Sequence, residues 1–503
     1  MKKLKEYLKN ENNIHIWLII LGTLFLILPI FHQNMWFDES YTVAICKHPF
    51  NEIWTIGSHD VHPVLYYFIV RIIFMLTNNS IIAARFFSAV PLVILSILGY
   101  THISKDFGRK TGMIFSTLIL IFPSVLMYAG ELRMYTWAAL FVSIMCLYAY
   151  RIIKYDYSKK NWAIFAIFSL ASAYTHYYAL IIAAIVNICL LIYFIIKNVK
   201  AKKEDEKKYF KKQIITLLIQ AVIEVILYLP WLGALLAQTK SVSGGFWITT
   251  PNPLQVMIFL ATGSLDDKNF VINKIFSCFI TATLVYLFIH NWKDKETMQA
   301  KLSFALLVGL QSLILLIGKI IGQNLLYQRY LFTLIGVLIF AGSLLLSKEG
   351  KKVEIVTLSI IMCFSLYTNI NLINENYDKS NNEPYNYLKE NYEDGDIVIV
   401  ANSGSGFVLM SRLENKNNYK NMYFYDLEHW GVEEAYKAFG KTMEDLDSLK
   451  DYKGRIWIIS NTSVDLASRV QEELGRTKVI KENKTFDTKY KNYSFAIELL
   501  EKE

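Results

Sequence analysis

Apolar residues in this chain fall into runs of roughly 18 to 22, separated by short polar stretches, the spacing of a chain that crosses a bilayer many times. The runs predict spans at 14–32, 81–103, 112–129, 134–153, 162–178, 179–196, 213–236, 271–290, 301–321, 329–346 and 353–372. A further apolar stretch, 63–77, is short for a span and carries Arg71 at its middle. Lysine bias decides its status. If 63–77 does not cross, the loops at 1–13, 104–111, 151–161, 197–212, 291–301 and 347–352 share one side with roughly 25 Lys and Arg, against about five on the other. If it crosses, the basic loops are split. The pattern therefore predicts about eleven transmembrane helices, an interfacial helix at 63–77 in the first outer loop, a cytoplasmic N-terminus and an extracytoplasmic C-terminal part.

Beyond residue 373 the pattern changes. Residues 374–383 are rich in Asn, Glu and Lys and read as a linker. Ile397-Val398-Ile399-Val400 and Ile456-Trp457-Ile458-Ile459 read as buried strands, and 432–449 and 464–474 as helices. Strands alternating with helices predict a small soluble α/β domain over 384–503, following a membrane domain over 1–373. Gly404-Ser405-Gly406 after the first strand reads as a loop rather than a phosphate-binding turn, because it is too short for a dinucleotide fingerprint.

Composition agrees with a multi-pass protein of the cell membrane. Hydrophobic residues make up 54% of 503 and the formal net charge is +9; mean hydropathy is +0.30. The excess lysines lie between apolar runs, so the charge is a topology signal and no nucleic-acid partner is implied. Four of the five cysteines lie inside apolar runs, which implies no disulfide framework. The first run ends in Leu28-Pro29-Ile30-Phe31-His32 without a small-residue cleavage site and reads as a retained helix.

This topology collects ionisable groups on the outer face. Asp38 and Glu39 follow the first span within Trp36-Phe37-Asp38-Glu39-Ser40-Tyr41, and His62-Pro63 opens the interfacial helix. Glu131 and Arg133 occupy a tight turn after the third span, Arg85 stands at the outer end of the second, and Arg329 begins the tenth. Each also has an ordinary role: a helix cap for Asp38, a turn ion pair for Glu131 and Arg133, snorkelling anchors for Arg85 and Arg329. Acids with arginines at one membrane surface suit transfer from a phosphate-bearing lipid. A polytopic transporter or lipid flippase is the alternative, and it predicts ionisable residues within spans, of which Glu224 and Lys319 are candidates.

The order of these motifs resembles the GT-C superfamily of polyprenyl-phosphate-sugar glycosyltransferases, in the bacterial branch related to protein O-mannosyltransferases and the lipid A aminoarabinose transferase. The pieces are Trp36-Phe37-Asp38-Glu39, His62-Pro63-Val64-Leu65-Tyr66-Tyr67, Ala84-Arg85-Phe86-Phe87-Ser88-Ala89, Phe107-Gly108-Arg109-Lys110-Thr111-Gly112, Glu131-Leu132-Arg133-Met134-Tyr135 and Gln328-Arg329-Tyr330-Leu331. The aminoarabinose branch has lysine where His62 stands, and the prolines often doubled there are reduced to Pro63. The resemblance implies Asp38 and Glu131 as catalytic acids, with Glu39, His62, Arg133, Arg329 and Arg85 around the substrate. It implies a polyprenyl-phosphate sugar donor, an envelope glycan, lipid or protein acceptor, and membrane lipids as partners. Some relatives bind a divalent metal and others do not, so no metal is assigned. A single displacement by an acceptor hydroxyl, with Asp38 as base and Arg329 and Arg133 facing the leaving phosphate, predicts inversion at the anomeric carbon.

Overall fold

The computed structural model describes residues 10–245, 248–249, 251–265, 270–401, 404–413, 421–425, 433–441, 448–463, 465–474 and 478–502. Phe246 and Trp247, between the spans expected at 213–236 and 271–290, lie outside them, as do 432 and 442–447 of the helix expected over 432–449 and 464 of that expected over 464–474; in the described part of 432–449 the α-helix is confined to Glu433–Tyr436, and the chain turns over 437–440. The membrane part is all helical. Helices α1 (Glu11–Ile27), α2 (Phe37–Cys46), α3 (Phe50–Ser58), α4 (Leu65–Thr77) and α5 (Ile81–Leu98) open the chain. Then come α6 (Arg109–Ile121), α7 (Pro123–Ala129), α8 (Tyr135–Lys154), α9 (Lys159–Ala173), α10 (Tyr177–Lys200) and α11 (Glu204–Gly244). Helices α12 (Pro253–Thr262), α13 (Phe270–His290), α14 (Met298–Ile321), α15 (Ile335–Ser347) and α16 (Lys351–Asn376) complete it.

Among the described residues, eight helices are long and apolar enough to cross a membrane. One bent pair of helices is apolar and long enough only when taken together. α6 and α7 meet at Phe122-Pro123 with a bend of 53°, because a residue before proline is pushed out of the helical region and proline is accepted only in the first turn of the next helix. Two further expected spans are short helices, α1 with 17 residues and α9 with 15, below the roughly 20 residues a bilayer requires. Helix α4, at 13 residues, rises only about 20 Å and does not reach across a membrane by itself. Arg71 at its middle acts locally. Its Nη1 donates to the carbonyls of Cys46 and Lys47, at 3.4 and 3.2 Å, satisfying the last turn of α2.

The basic loops expected on one side are tied together. Arg109 pairs with Glu11, Lys110 with Glu354, and Arg151 with Asp106. Lys348 pairs with Glu296 across the loops that flank α14 and α15. At the other end of the bundle, Asn34 donates to the carbonyl of Asn376 at 2.9 Å and the Phe31 amide donates to Tyr377 at 3.0 Å. Small residues allow close helix contacts: a Cβ on Gly99, in the π-helical turn after α5, would meet the Gly112 carbonyl at 3.0 Å.

After α16 come α17 (Glu383–Asn391), β1 (Ile397–Val400), α18 (Ser405–Arg412), β2 (Met422–Phe424) and α19 (Glu433–Tyr436). They are followed by β3 (Ile456–Ser460), α20 (Leu466–Glu473), β4 (Lys478–Asp487) and β5 (Ser494–Lys502). The strands form one sheet in the order β2-β1-β3-β5-β4. β1 is parallel to β2 and β3, as helical crossovers require, and β4 and β5 form an antiparallel hairpin on the β3 edge. One apolar cluster of this domain is its own, built on Ile399, Ile458, Leu466 and Val470. Its other face, with Phe407 and Tyr436, is continuous with the core of the membrane part.

Candidate active site

Helix α2 carries Asp38 and Glu39 in its first turn, where carboxylates suit the positive end of the helix dipole. The two side chains diverge. Glu39 is fully buried and reaches back to accept the Trp36 amide at 3.3 Å. Its Oε1 accepts from Arg85 at 2.6 Å and from the Leu132 amide at 2.9 Å. Its Oε2 accepts from Arg85 at 3.0 Å and from the Tyr490 hydroxyl at 2.8 Å. Arg85 also donates to the carbonyls of Gly130 and Asn34. This is a buried node in which both charges are paired and hydrogen-bonded, the condition for keeping an ion pair out of water, with Arg85 Nε left without a partner among the described residues. It fastens α2 to the turn that carries Glu131.

Asp38 points elsewhere. Its side chain is 28% exposed and pairs with Arg329 Nη1 at 3.0 Å. The Arg329 guanidinium lies 4.6 Å from the centre of the Trp36 ring and 5.5 Å from that of Tyr327, a flat cation held between aromatic faces. Arg329 sits in the 3-10 turn Gln328–Leu334 that opens the span ending in α15. Arg133 lies on the other side of α2, where its Nη1 donates to the Asp38 carbonyl at 3.3 Å and lies within 3.5 Å of the Thr42 and Tyr67 hydroxyls.

Glu131 is buried, and its Oε2 has no hydrogen-bond partner among the described residues. Burial pushes its carboxyl up to about 7; Arg329 and then Lys491 oppose the rise, while Glu39 and Asp38 add to it. An unpaired buried carboxyl that titrates near neutrality is a group with a free valence for a ligand or a proton. Glu131, His32 and Lys491 share a small groove with Ile30, Met127 and Leu372 in its walls. Lys491 Nζ stands 5.7 Å from the Trp36 ring centre, so two cations flank one indole.

His62 is buried against His176 and Tyr330, with ring centres at 5.4 and 5.8 Å. Burial, followed by Arg133, His176 and Arg329, holds its imidazole well below its ordinary range. His176 caps α10 by accepting the Tyr178 amide at 3.1 Å, and burial with Arg133 holds it at about 3. Both rings are therefore neutral at neutral pH. Asp60, raised to about 6 chiefly by burial, accepts from Tyr67 at 3.1 Å.

The structure thus brings Asp38, Arg329, Glu131, Arg133 and His62 around one aromatic-lined region, and pairs Glu39 with Arg85 beneath it. Sequence reasoning did not find Tyr490, Lys491 or Tyr493, which enter from the C-terminal domain. Nothing in one sequence links positions 451 apart, as Glu39 and Tyr490 are.

Residues 61–233 match the family described as dolichyl-phosphate-mannose-protein mannosyltransferase. No curated protein sequence matches the chain. The whole fold is similar to that of ArnT from Cupriavidus metallidurans bound to undecaprenyl phosphate, with a TM-score of 0.60 at 8% identity over 96% of this chain and 97% of that one. The apo state of the same protein matches with a TM-score of 0.60 at 7% identity and the same coverage. The archaeal oligosaccharyltransferase AglB from Archaeoglobus fulgidus, in complex with an inhibitory peptide and a dolichol-phosphate, gives a TM-score of 0.46 at 12% identity over 90% and 70% of the chains.

Proposed function

Since the chain is a multi-pass membrane protein of the GT-C type, we propose that it is a glycosyltransferase that moves a sugar from a polyprenyl phosphate to an acceptor hydroxyl at the outer face of the cell membrane. The observation that carries this reading is the partly exposed Asp38–Arg329 pair over Trp36, beside the unpaired carboxyl of Glu131.

A polyprenyl-phosphate donor needs little activation, since its phosphate already leaves as a stable anion. The protein has to hold that anion, remove a proton from the acceptor and keep both in line. Arg329 is the cation on offer, and a donor phosphate competes with Asp38 for its guanidinium. That exchange couples donor binding to the release of the base: Asp38, freed from its partner, takes the acceptor proton as the hydroxyl attacks the anomeric carbon. One displacement inverts the configuration. Glu131 is a second acid within the same field; protonated, it donates to a phosphate or sugar oxygen. His62, kept neutral, offers a hydrogen bond without charge. Glu39 and Arg85 hold the two acid-bearing segments together, and Arg85, which lines the groove beside Glu131 and whose Nε has no partner among the described residues, keeps one donor for a substrate oxygen.

Among the described residues, the transporter alternative finds one carboxylate in the middle of a span. Glu224, in the middle of α11, accepts from Ser169 at 2.9 Å and Gln220 at 2.8 Å, which supports an interhelical link rather than a pathway. The test is incubation of purified protein with a panel of polyprenyl-phosphate sugars and acceptor fractions from the envelope, following release of polyprenyl phosphate. Release by wild-type protein and not by Asp38→Asn is expected. No release from any member of the panel returns the flippase reading to first place.

A further inference from the structure

The C-terminal domain does more than cover the face that carries Asp38. It grips α2 at both ends. The Tyr493 hydroxyl accepts the Phe37 amide at 3.0 Å, capping the first turn. The Tyr490 hydroxyl donates to Glu39. The Phe37 ring stacks on Tyr436 at 5.8 Å and 2°, and packs edge-on against Phe407 at 6.2 Å. At the other end, Lys47 Nζ donates to the Ser411 carbonyl at 3.0 Å.

The corner that carries the two tyrosines is itself fixed. The Tyr490 amide donates to Asn381 at 2.8 Å and the Lys491 amide to Glu375 at 2.9 Å. Thr488 and Tyr493 close the turn through a backbone hydrogen bond of 2.8 Å. Lys491 and Asn492 both adopt left-handed backbone, with φ of 55° and 51°. Asn492 tolerates that conformation readily; at Lys491 it is held by the hydrogen bonds just described.

We propose that Tyr490 and Tyr493 are positioning residues for sugar transfer, fixing the orientation of α2 and hence of the Asp38 carboxylate. The inference rests on the glycosyltransferase reading above. Tyr493 sets where the helix begins. Tyr490 completes the Glu39 node, which also receives the Leu132 amide and so sets the distance from Asp38 to Glu131. Neither hydroxyl touches the reacting atoms. Both act through α2, and a displacement of about 1 Å at a reacting group costs up to ~10²-fold in rate.

The test uses the full-length protein with Tyr490→Phe and Tyr493→Phe, each of which removes one oxygen. Tyr452→Phe, whose hydroxyl donates to the Gly395 carbonyl elsewhere in the same domain, is the control. With the donor that wild-type protein uses, each corner variant is expected to lower kcat about 10-fold while KM for donor moves less than about twofold, and the control is expected to match wild type. Hydrogen exchange supplies a readout free of activity. Amides of 37–46 should exchange about 10-fold faster in the corner variants, and those of α8 should not. Wild-type kcat per folded molecule in both variants overturns the inference, as does unchanged exchange over 37–46. If wild-type protein transfers no sugar at all, the glycosyltransferase reading falls, and the exchange result still decides whether the corner holds α2.

Discussion

Asp38 and Glu39 are adjacent and share one carboxylate chemistry, yet one is buried and saturated and the other is open. Adjacent positions on a helix point about 100° apart, so less than a third of a turn separates the acid that ties segments together from the one that faces solvent and Arg329. Asp38→Asn keeps shape and removes the proposed base, and on that proposal transfer is expected to drop by about two to four orders of magnitude while donor binding, read by a lipid-phosphate titration, persists. Glu39→Gln leaves Arg85 charged and half-paired in a closed site. Breaking such a pair costs about 3–5 kcal/mol, so its thermal midpoint is expected to fall well below that of Asp38→Asn. Glu39→Leu combined with Arg85→Leu should recover part of that loss, as replacement of a buried pair by apolar groups does. Glu131 adds a pH signature. Its folded value of about 7 lies above the ordinary 4.5, so the native state holds a proton that the unfolded chain releases. Its contribution to stability is full below about 4.5 and is lost as pH rises to about 7. Melting curves from pH 5 to pH 8 should show this fall, and Glu131→Gln should flatten it. At this scale the acids and arginines were legible as residue types gathered on one face. That Glu39 and Arg85 satisfy each other was not, because pairing is decided by packing between segments that sequence spacing does not relate.

At the scale of elements, period and length carried most of the fold. Long apolar runs marked the eight long spans, and the lysine count marked the short helix at 63–77. Breaks were harder to see. Phe122-Pro123 lies inside a run that reads as one span, and only the geometry shows two helices at an angle. In the tail, the apolar strands β1 and β3 announced themselves. β2 has three residues, and β4 is an edge strand with a polar run, Lys481-Glu482-Asn483-Lys484-Thr485, at its centre, so neither stands out by composition. The glycines after β1 have a packing reason. A Cβ on Gly404 would meet the Phe37 ring at 2.7 Å, at a residue whose φ is 82°, so glycine permits both the left-handed backbone and the approach of the domain to α2. Gly404→Ala is expected to destabilise the protein by roughly 1–3 kcal/mol, measured as a lower denaturation midpoint, with an accompanying rise in amide exchange at Phe37.

For the whole molecule, the same ion pairs that join the basic loops define one end of the bundle, and the Asp38 face defines the other. On the lysine bias we propose that the basic end faces the cytoplasm. In a cysteine-free background, Lys160→Cys and Lys379→Cys should react with a membrane-impermeant maleimide from opposite sides; labelling of both from one side removes the proposed orientation. The sequence carried the sidedness of the loops because charge is counted segment by segment. It did not carry the docking of the tail on the first loop, which is a property of surfaces.

That docking has a consequence in time. Glu39 and Tyr490 stand 451 residues apart, and at synthesis rates of roughly 5–20 residues per second about 20 to 90 s separate their appearance. The spans enter the membrane long before the hydroxyl that closes the Glu39 node exists. A nascent chain therefore passes through a stage in which every helix around Asp38 is made and the first of them is not yet held. Early release of the polypeptide anywhere before residue 490 would leave a membrane part whose Glu39 node lacks the Tyr490 hydroxyl.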